Sequence, residues 1–430
     1  MTQHSSIPAQ SPFDQNLWSL YQRSGSKNWY MRFSIRGHGQ LRRALNTPDQ
    51  NEAMRLAPRI YYETLAKAEA GLNPKHHTVE QAVELFMESM RTHQARHRLT
   101  DIHLRQMEIT TGRYISGFWG NKPTSAITEK SIDEFINWRH SYWTTGPGTE
   151  QTQTTYVRNG RRVLTPIPSR WRVIPKPSTI NSELVTLRAF LNFCRRESMI
   201  PDVPVVKNVR NPPNARPSFT DSEMIRFQNH LMLRIQQSKS DSKNLFERVL
   251  FYGFCMVMIE SGIRTAEALK LNWGNVLGFT PGAMPLNQRI TLQIIGKHNQ
   301  VSSKDRICLT NPSIAGALDV LWQVYSDVWG RSPNPSDPLF AHRDGERIKS
   351  FSTQMNNALT ELDMKTDYRG QPRCAYSFRH YFITQQLNDG VPIHLVAKNA
   401  GTSSDMIEKH YSHVSLAAHY DTIIPERHRS

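Results

Sequence analysis

A tyrosine stands between two histidines near the end of the 430-residue chain, in the stretch IEKHYSHV. An ionised tyrosine hydroxyl is a nucleophile, but its ordinary pKa of about 10 means that nearby positive charge must help to remove its proton. Tyr411 is therefore chemically informative only if cationic side chains accompany it. Taken alone, a tyrosine among polar residues is more often a packing or interface residue.

Two earlier segments supply guanidinium groups. In IESGIRTAEALKLNW, Arg264 and Glu267 are three residues apart, on one helical turn where they can pair. An exposed pair of this kind would contribute little to stability. In AYSFRHYFIT, Ser377 can cap a helix, and Arg379 and His380 fall near its start, where backbone N–H groups favour an anion. Neither segment identifies a reaction by itself.

Composition indicates the class of partner. Lys and Arg number 53 against 37 Asp and Glu, which gives a net charge of +16 and a pI of about 9.8. This surplus favours a polyanion, either nucleic acid or an anionic membrane surface. No apolar run approaches the ~20 residues that span a bilayer, and the N-terminus lacks the order of a signal peptide. We therefore expect a DNA or RNA partner in the cytoplasm, and no membrane.

Metal chemistry is not indicated. The four cysteines are far apart and form no CxxC pair, which argues against a disulfide framework and a cysteine-rich zinc site. The 17 histidines are scattered and include no HExxH spacing. We expect no metal.

The first 74 residues form a predicted β/α module. Residues 17–47 alternate apolar and basic residues between Gly-containing turns, which predicts short antiparallel strands. Trp29, Met31, Phe33 and Ile35 would share one face, and a helix would run from Asp49 to Ala70. DNA contact is one interpretation, and a solvated hairpin is the alternative; the candidate contacts are Arg32, Arg36, Arg42 and Arg43.

The rest of the chain is predicted to be mainly helical. Residues 75–205 form a helical domain that begins at a Thr78 capping box, with helices near 101–118, 128–140 and 178–197. Its Thr-, Gly- and Arg-rich stretch 141–177 is predicted to be a β-hairpin insertion turning at Asn159-Gly160, or else a disordered loop. A Pro-rich linker over 206–217 separates it from residues 218–430, which are helical apart from two strands around RITLQIIGKHNQVSSKDRICLT.

Taken in order, these segments resemble the catalytic domain of the tyrosine recombinases, the phage-type integrases. That family has TG-L/I-R-x-x-E-x-x-x-L, a Lys on a β-hairpin, H-x-x-R-H, G-H-x-S and a C-terminal tyrosine nucleophile. The chain has SGIRTAEALKLNW, IIGKHNQ, YSFRHYFIT, AGTSS and IEKHYSHV in that order, over about residues 218–420. Residues 78–199 resemble the family's core-binding domain, and residues 17–72 resemble the arm-type DNA-binding domain of longer integrases.

The resemblance implies a mainly α fold with small β elements and a reaction that needs no cofactor. Tyr411 would attack a DNA phosphate to form a 3′-phosphotyrosyl bond, Arg264 and Arg379 would hold the phosphate, and Lys297 would protonate the leaving 5′ oxygen. Lys304, across a long turn from Lys297, is the alternative general acid. The resemblance implies three supporting residues: Glu267, His380 and His413.

Two positions differ from the commonest family pattern. Tyr376 stands where H-x-x-R has His, and Thr402 stands where G-H-x-S has His or Trp. Both hydroxyls can donate a hydrogen bond to phosphate, but Thr402 cannot act as an acid or base near neutral pH. We therefore expect a slower reaction.

The expected function is a site-specific integrase that integrates or excises a mobile element and is nucleoid-associated when bound. Its implied partners are double-stranded DNA at core-type and arm-type sites, copies of itself in a homotetramer, and DNA-bending accessory proteins. A non-catalytic DNA-binding protein that kept the fold is the alternative, supported by Thr402 and Tyr376. A type IB topoisomerase shares the chemistry, but the basic N-terminal module favours the integrase.

Overall fold

The computed structural model describes residues 17–75, 77–95, 99–158, 161–211, 217–238, 241–295 and 305–410. The chain divides into two compact units, Met1–Pro212 and Pro213–Ser430. Both consist mainly of helices with small antiparallel sheets, which agrees with the predicted fold class. Among the described residues, no helix combines the length and hydropathy that crossing a membrane requires. The predicted boundary at residue 74 stays a prediction.

A three-stranded sheet and one helix begin the first unit. The strands pair in chain order and are followed by the helix, with bounds β1 (Trp18–Gln22), β2 (Trp29–Ile35), β3 (Gly39–Ala44) and α1 (Gln50–Glu69). The alternation predicted for β2 is confirmed, because Met31, Phe33 and Ile35 are buried against Ala57 and Tyr61 of α1. The residues that alternate with them on β2 and β3 form the opposite, exposed face of the sheet.

Helices build most of the remaining first unit: α2 (Val79–Ala95), α3 (Asp101–Ile109), α4 (Ser116–Trp119), α5 (Glu129–Ser141) and α6 (Pro177–Arg196). The predicted Thr78 capping box is confirmed, since Thr78 and Gln81 each donate a backbone N–H to the other's side chain. Arg139 of α5 and Glu183 of α6 form a two-bond ion pair at 2.8 and 2.7 Å, and their side chains are only 4% and 3% exposed.

A π-helical turn, Thr110–Ile115, connects α3 to α4 and was not predicted. The hydroxyls of Thr110 and Thr111 donate to the carbonyls of Gln106 and Met107 four residues earlier, which competes with the α-helical ladder. Next to them, the Arg113 guanidinium carbon lies 5.3 Å from the centre of the Trp143 ring. Through this cation–π contact the π-helical turn packs against the segment that follows α5.

The predicted hairpin insertion is confirmed as β4 (Gln153–Arg158) and β5 (Arg161–Pro166). Its Asn159-Gly160 turn lies outside the described residues. The Pro-rich stretch 201–211 contains no helix or strand. It follows α6 closely, because the Asn181 side chain bonds both the N–H (2.8 Å) and the carbonyl (2.9 Å) of Val209.

The second unit is organised around a buried helix. Five helices carry most of it: α7 (Asp221–Gln236), α8 (Ser242–Ser261), α10 (Ile314–Trp329), α11 (Ser352–Glu361) and α12 (Tyr376–Asn388). The predicted cap of Thr220 with Glu223 begins α7. Side chains of α8 are buried around its circumference, so this helix forms the centre of the core.

The β segment of the second unit has one more strand than predicted. Strands β7 (Thr291–Ile294) and β8 (Arg306–Leu309) form the expected pair, and β6 (Val276–Leu277) adds to the far side of β7. A two-residue strand leaves no alternation for sequence inspection to detect. On the core side of the sheet, Leu292 pairs with Cys308, and both are fully buried.

Short helices surround the predicted chemical residues: α9 (Thr265–Ala268), α13 (Ile393–Ala400) and α14 (Ser404–His410). A small apolar cluster that includes Phe382, Val396 and Ile407 joins α12, α13 and α14. The predicted cap at Ser377 is wrong. The helix begins one residue earlier, and the buried Ser377 hydroxyl accepts a bond from the Cys374 N–H at 3.3 Å.

Candidate active site

The predicted pair of Arg264 and Glu267 forms where α8 gives way to α9. Helix α8 ends at Gly262 with φ of +62°, a left-handed conformation that glycine adopts readily and that lets the chain turn at once. Arg264 Nη1 donates to Glu267 Oε1 and the Arg264 backbone N–H to Oε2, both at 2.9 Å. The Arg264 side chain is 42% exposed and that of Glu267 19%. The carboxylate is thus held in place while part of the guanidinium faces solvent.

Arg379 reaches the same place from α12. It is only 2% exposed, and its Nη1 donates to the carbonyl oxygens of Gly262 (2.8 Å) and Ala400 (2.6 Å). Arg264 Nη2 donates to the carbonyl of the next residue, Gly401. The two predicted phosphate-binding arginines therefore contact consecutive carbonyls of one turn. We call this turn, residues 399–402, the acceptor turn.

Thr402 completes the acceptor turn. Helix α13 ends at Gly401, whose φ is +68°, and the Thr402 N–H donates to the Ala397 carbonyl at 2.9 Å. Thr402 is half-buried. Arg264, Arg379 and Thr402, which the sequence separates widely, are thus brought together by α9, α12 and α13.

Tyr376 and His380 lie one turn apart at the start of α12. Their ring centroids are 5.2 Å apart at an interplanar angle of 59°, and the Arg379 Cζ lies 6.0 Å from the Tyr376 ring centroid. His380 is buried, whereas Tyr376 is half-buried. This places Tyr376 beside Arg379. The supporting role predicted for His380 stays a prediction.

One residue of this cluster, Arg306, was missed by the sequence analysis. It is the first residue of β8, and its guanidinium binds both oxygens of Glu267 at 3.0 Å each. Burial opposes ionisation of Glu267, but the hydrogen bonds and charges of Arg306 and Arg264 outweigh it and hold the pKa of that carboxyl below its ordinary value. Glu267 is therefore a carboxylate shared by two arginines.

Four residues of the predicted site lie outside the described part of the chain: the catalytic Lys297 and Tyr411, the supporting His413 and the alternative acid Lys304. Tyr411 directly follows α14 in sequence, and α14 is anchored by the fully buried Ile407. The roles of these four residues stay predictions.

In the N-terminal sheet, the four predicted DNA-contacting arginines do not share one face. Arg32 and Arg42 are directly opposite each other on β2 and β3, both exposed, and Arg36 is exposed in the turn between these strands. Arg43 pairs instead with the buried Met31, and its guanidinium donates to the Pro74 carbonyl. Burial lowers the pKa of Arg43. The exposed sheet face carries Arg32 and Arg42 but not Arg43.

Comparison with known proteins identifies the second half of the chain. Residues 229–417 match the model of the phage integrase family. This stretch is a phage integrase family domain. It contains Arg264, Arg379 and the acceptor turn, so the cluster described above belongs to that domain.

Curated relatives of the chain are transposases. It is 24% identical over 247 residues to transposase B from transposon Tn554 of Staphylococcus aureus strain Mu50, covering 56% of this chain and 35% of the relative. It is 25% identical over 248 residues to transposase B from transposon PsiTn554 of Staphylococcus aureus, with the same coverage. The chain thus spans about a third of the length of these relatives.

Solved structures share the fold. The XerH site-specific recombinase bound to palindromic difH substrate in a post-cleavage complex has a TM-score of 0.52 at 14% identity, covering 85% of this chain and 89% of XerH. A lambda integrase dimer bound to a COC′ core site also has a TM-score of 0.52, at 12% identity, covering 96% of this chain and 97% of the integrase. At such identities the likeness shows the tyrosine recombinase fold.

Proposed function

We propose that the protein is a site-specific DNA recombinase that cuts and rejoins DNA through a covalent 3′-phosphotyrosyl intermediate and so integrates or excises a mobile element. The phage integrase family domain and the transposon-encoded relatives support this function. The net charge of +16 supports DNA as the substrate.

The convergence of Arg264 and Arg379 on the acceptor turn carries the proposal. A phosphodiester under attack develops charge on its non-bridging oxygens, and planar guanidinium groups that never lose their proton can hold that charge. Arg264 presents an exposed edge, whereas Arg379 is enclosed. Contact of both with one phosphate therefore requires DNA binding to open the surroundings of Arg379.

In the proposed first step, Tyr411 Oη attacks the scissile phosphorus, an O–P bond forms and the P–O5′ bond breaks. The phenol proton passes to solvent, and the Lys297 ammonium supplies the proton that the leaving 5′ oxygen requires. In the second step the 5′ hydroxyl of another strand attacks the phosphotyrosine, a P–O5′ bond forms and the bond from phosphorus to Tyr411 Oη breaks. The hydroxyl proton returns to the Lys297 amine, and the released phenolate takes a proton from solvent. Because the phosphotyrosyl ester conserves the bond energy, the reaction needs no nucleotide cofactor.

Thr402 and Tyr376 would complete the phosphate site as neutral hydrogen-bond donors. Thr402 lies on the acceptor turn, and Tyr376 lies beside Arg379. Thr402 cannot act as an acid or base near neutral pH. We assign proton transfer to the leaving group to the lysine of the hairpin, either Lys297 or Lys304.

For the N-terminal module we propose a contact with a second, arm-type DNA site through the exposed face of the sheet. Cross-strand neighbours Arg32 and Arg42 place two charges on this face, and the Arg23 guanidinium lies 4.4 Å from the ring centre of the adjacent Tyr30. A two-stranded β-ribbon, such as the pair of β2 and β3, fits the DNA major groove. We further propose that the protein acts as a homotetramer on DNA in the cytoplasm, with DNA-bending proteins as accessory partners.

The test is covalent capture. Full-length protein is incubated with lightly nicked total DNA from the organism that carries the gene, because a nick near the scissile bond lets the cut end diffuse away and traps the adduct. Complexes that survive SDS are retained on a filter, and the attached ends are sequenced. We expect one enriched locus with protein at a 3′ end, and no adduct with Tyr411→Phe, which should still bind the recovered duplex.

Three other outcomes of this experiment would indicate a different function or a different nucleophile. Specific binding by the wild type without any adduct would support the non-catalytic alternative. An adduct that persists in Tyr411→Phe would show that the nucleophile is another residue. Adducts spread over all sequences, together with relaxation of a supercoiled plasmid, would indicate a topoisomerase.

A further inference from the structure

Arg306 forms an ion pair with Glu267 of the candidate site through two hydrogen bonds. Its Nη1 and Nη2 donate to Glu267 Oε1 and Oε2 at 3.0 Å each, in the planar fork geometry that only arginine offers to a carboxylate. The side chains of Arg306 and Glu267 are 20% and 19% exposed, so solvent screens this pair far less than a surface pair.

The same carboxylate orients Arg264. Each Glu267 oxygen accepts one bond from Arg306 and one from Arg264, so four N–H donors meet the four acceptor sites of one carboxylate. Rotation of Glu267 would break bonds to both arginines. The orientation of Arg264 therefore depends on Arg306 through the carboxylate that the two arginines share.

Arg306 also contacts the acceptor turn. Its Nη2 donates to the Ala400 carbonyl at 3.3 Å and its Nε to the Asn399 carbonyl at 3.5 Å. A second link lies three residues along β8, where the Asn399 side chain bonds the N–H (2.7 Å) and the carbonyl (3.1 Å) of Leu309. Hydrogen bonds at both ends of β8 thus hold this strand against the acceptor turn, which contains Thr402.

We propose that Arg306 is a positioning residue for DNA cleavage. By sharing Glu267 with Arg264 and by binding the acceptor turn, it fixes Arg264 and Thr402 relative to each other before the phosphate arrives. The inference rests on the proposed recombinase function. Four of the five N–H donors of Arg306 already bond protein acceptors, so we assign it a role through Arg264 and the turn and not by touching DNA. Displacement of a catalytic group by about 1 Å can cost ~100-fold in rate.

Single-turnover adduct formation on the recovered nicked duplex tests the inference. We expect Arg306→Gln to react about 10- to 100-fold more slowly than the wild type, with its affinity for the duplex unchanged. Arg306→Lys should remain slow, because an ammonium keeps the charge but lacks the fork. Arg331→Gln is the matched control: it breaks a two-bond surface pair with Asp337 in the same unit and should react at the wild-type rate. Full recovery in Arg306→Lys would overturn the inference.

A neutral substrate separates positioning from a loss of folding. A methylphosphonate at the scissile position carries no charge, so its reaction depends less on correctly placed guanidinium groups. The deficit of Arg306→Gln should therefore shrink several-fold on this substrate, whereas a folding defect would slow both substrates equally and would overturn the inference. In the Glu267→Gln background, Arg306→Gln should add little further loss; multiplicative losses would likewise contradict it.

The experiment distinguishes failure of the recombinase function from failure of the positioning role of Arg306. If the wild-type protein forms no adduct with any DNA, the recombinase function fails and the positioning role fails with it. If the wild type reacts and Arg306→Gln reacts equally fast, only the positioning role is wrong.

Discussion

Gly401→Ala should perturb the acceptor turn through Arg306. Both Gly401 and Gly330 end a helix in the left-handed conformation, with φ of +68° and +65°. An alanine at either position meets the same backbone penalty of about 1–2 kcal/mol. Their surroundings differ, because a Cβ on Gly401 would lie 2.5 Å from Arg306 Cζ, whereas a Cβ on Gly330 would meet nothing within 4 Å. Gly330→Ala is therefore a control for the backbone term.

The additional cost at Gly401 is the loss of the Arg306 ion pair. Removing one partner of a fully buried pair costs about 3–5 kcal/mol. Gly401→Ala displaces Arg306 without removing it, Glu267 keeps its two bonds to Arg264, and the paired side chains retain 20% and 19% exposure. We therefore expect about 2–4 kcal/mol here, less than for a buried pair that loses a partner. Gly401→Ala should then lower the free energy of unfolding of the second unit by about 3–6 kcal/mol, against about 1–2 kcal/mol for Gly330→Ala.

Hydrogen exchange of the full-length protein, followed by mass spectrometry in increasing urea, measures this free energy on peptides from residues 213–430. In the Arg306→Ala background the clash is absent, so Gly401→Ala should add only about 1–2 kcal/mol. Equal losses for Gly401→Ala and Gly330→Ala would refute the reasoning. So would a Gly401→Ala loss that is the same with and without Arg306.

Three further predictions concern Glu183, the N-terminal sheet and Glu267. Glu183→Gln leaves its buried arginine partner uncompensated and should lower the free energy of unfolding of the first unit by about 3–5 kcal/mol in the same exchange experiment; a loss below 1 kcal/mol would contradict this. Replacing Arg32 and Arg42 by Gln should reduce the slope of log affinity for DNA against log salt by about 2, since each phosphate contact contributes about 0.9, whereas Arg43→Gln should leave the slope unchanged. The pKa of Glu267 lies below its ordinary value, so its contribution to stability is complete above the unfolded pKa of about 4.3 and is lost as pH falls through the lower folded value. Glu267→Gln should accordingly weaken the fall in the free energy of unfolding below about pH 4.3. If the mutant loses stability with falling pH as steeply as the wild type, ionised Glu267 does not stabilise the fold.

Local patterns predicted the elements well because the interactions that fix them lie within four residues. The capping boxes at Thr78 and Thr220 and the pairing of Arg264 with Glu267 are all of this kind. Strand alternation also separates Arg42 from Arg43: the two are adjacent on β3 and so face opposite sides of the sheet.

Arg306 could not be found in this way. Its partner Glu267 lies 39 residues earlier, and its other contacts, at residues 399 and 400, lie more than 90 residues later. In a chain with 53 Lys and Arg, one more arginine at the start of a strand carries no local signal. The π-helical turn at Thr110–Ile115 was missed for a related reason, since apolar periodicity does not distinguish a widened turn from an ordinary one.

The covalent adduct itself offers the most direct measurement. Trypsin digestion of the captured complex, followed by nuclease treatment, leaves a nucleotide on the peptide spanning residues 410–427, which contains two tyrosines, Tyr411 and Tyr420. Fragmentation mass spectrometry locates the phosphodiester on one of them. If the protein is a tyrosine recombinase, we expect a 3′-linked nucleotide on Tyr411. A nucleotide on Tyr420, a 5′ linkage, or no modified peptide from DNA that the protein binds specifically would contradict it.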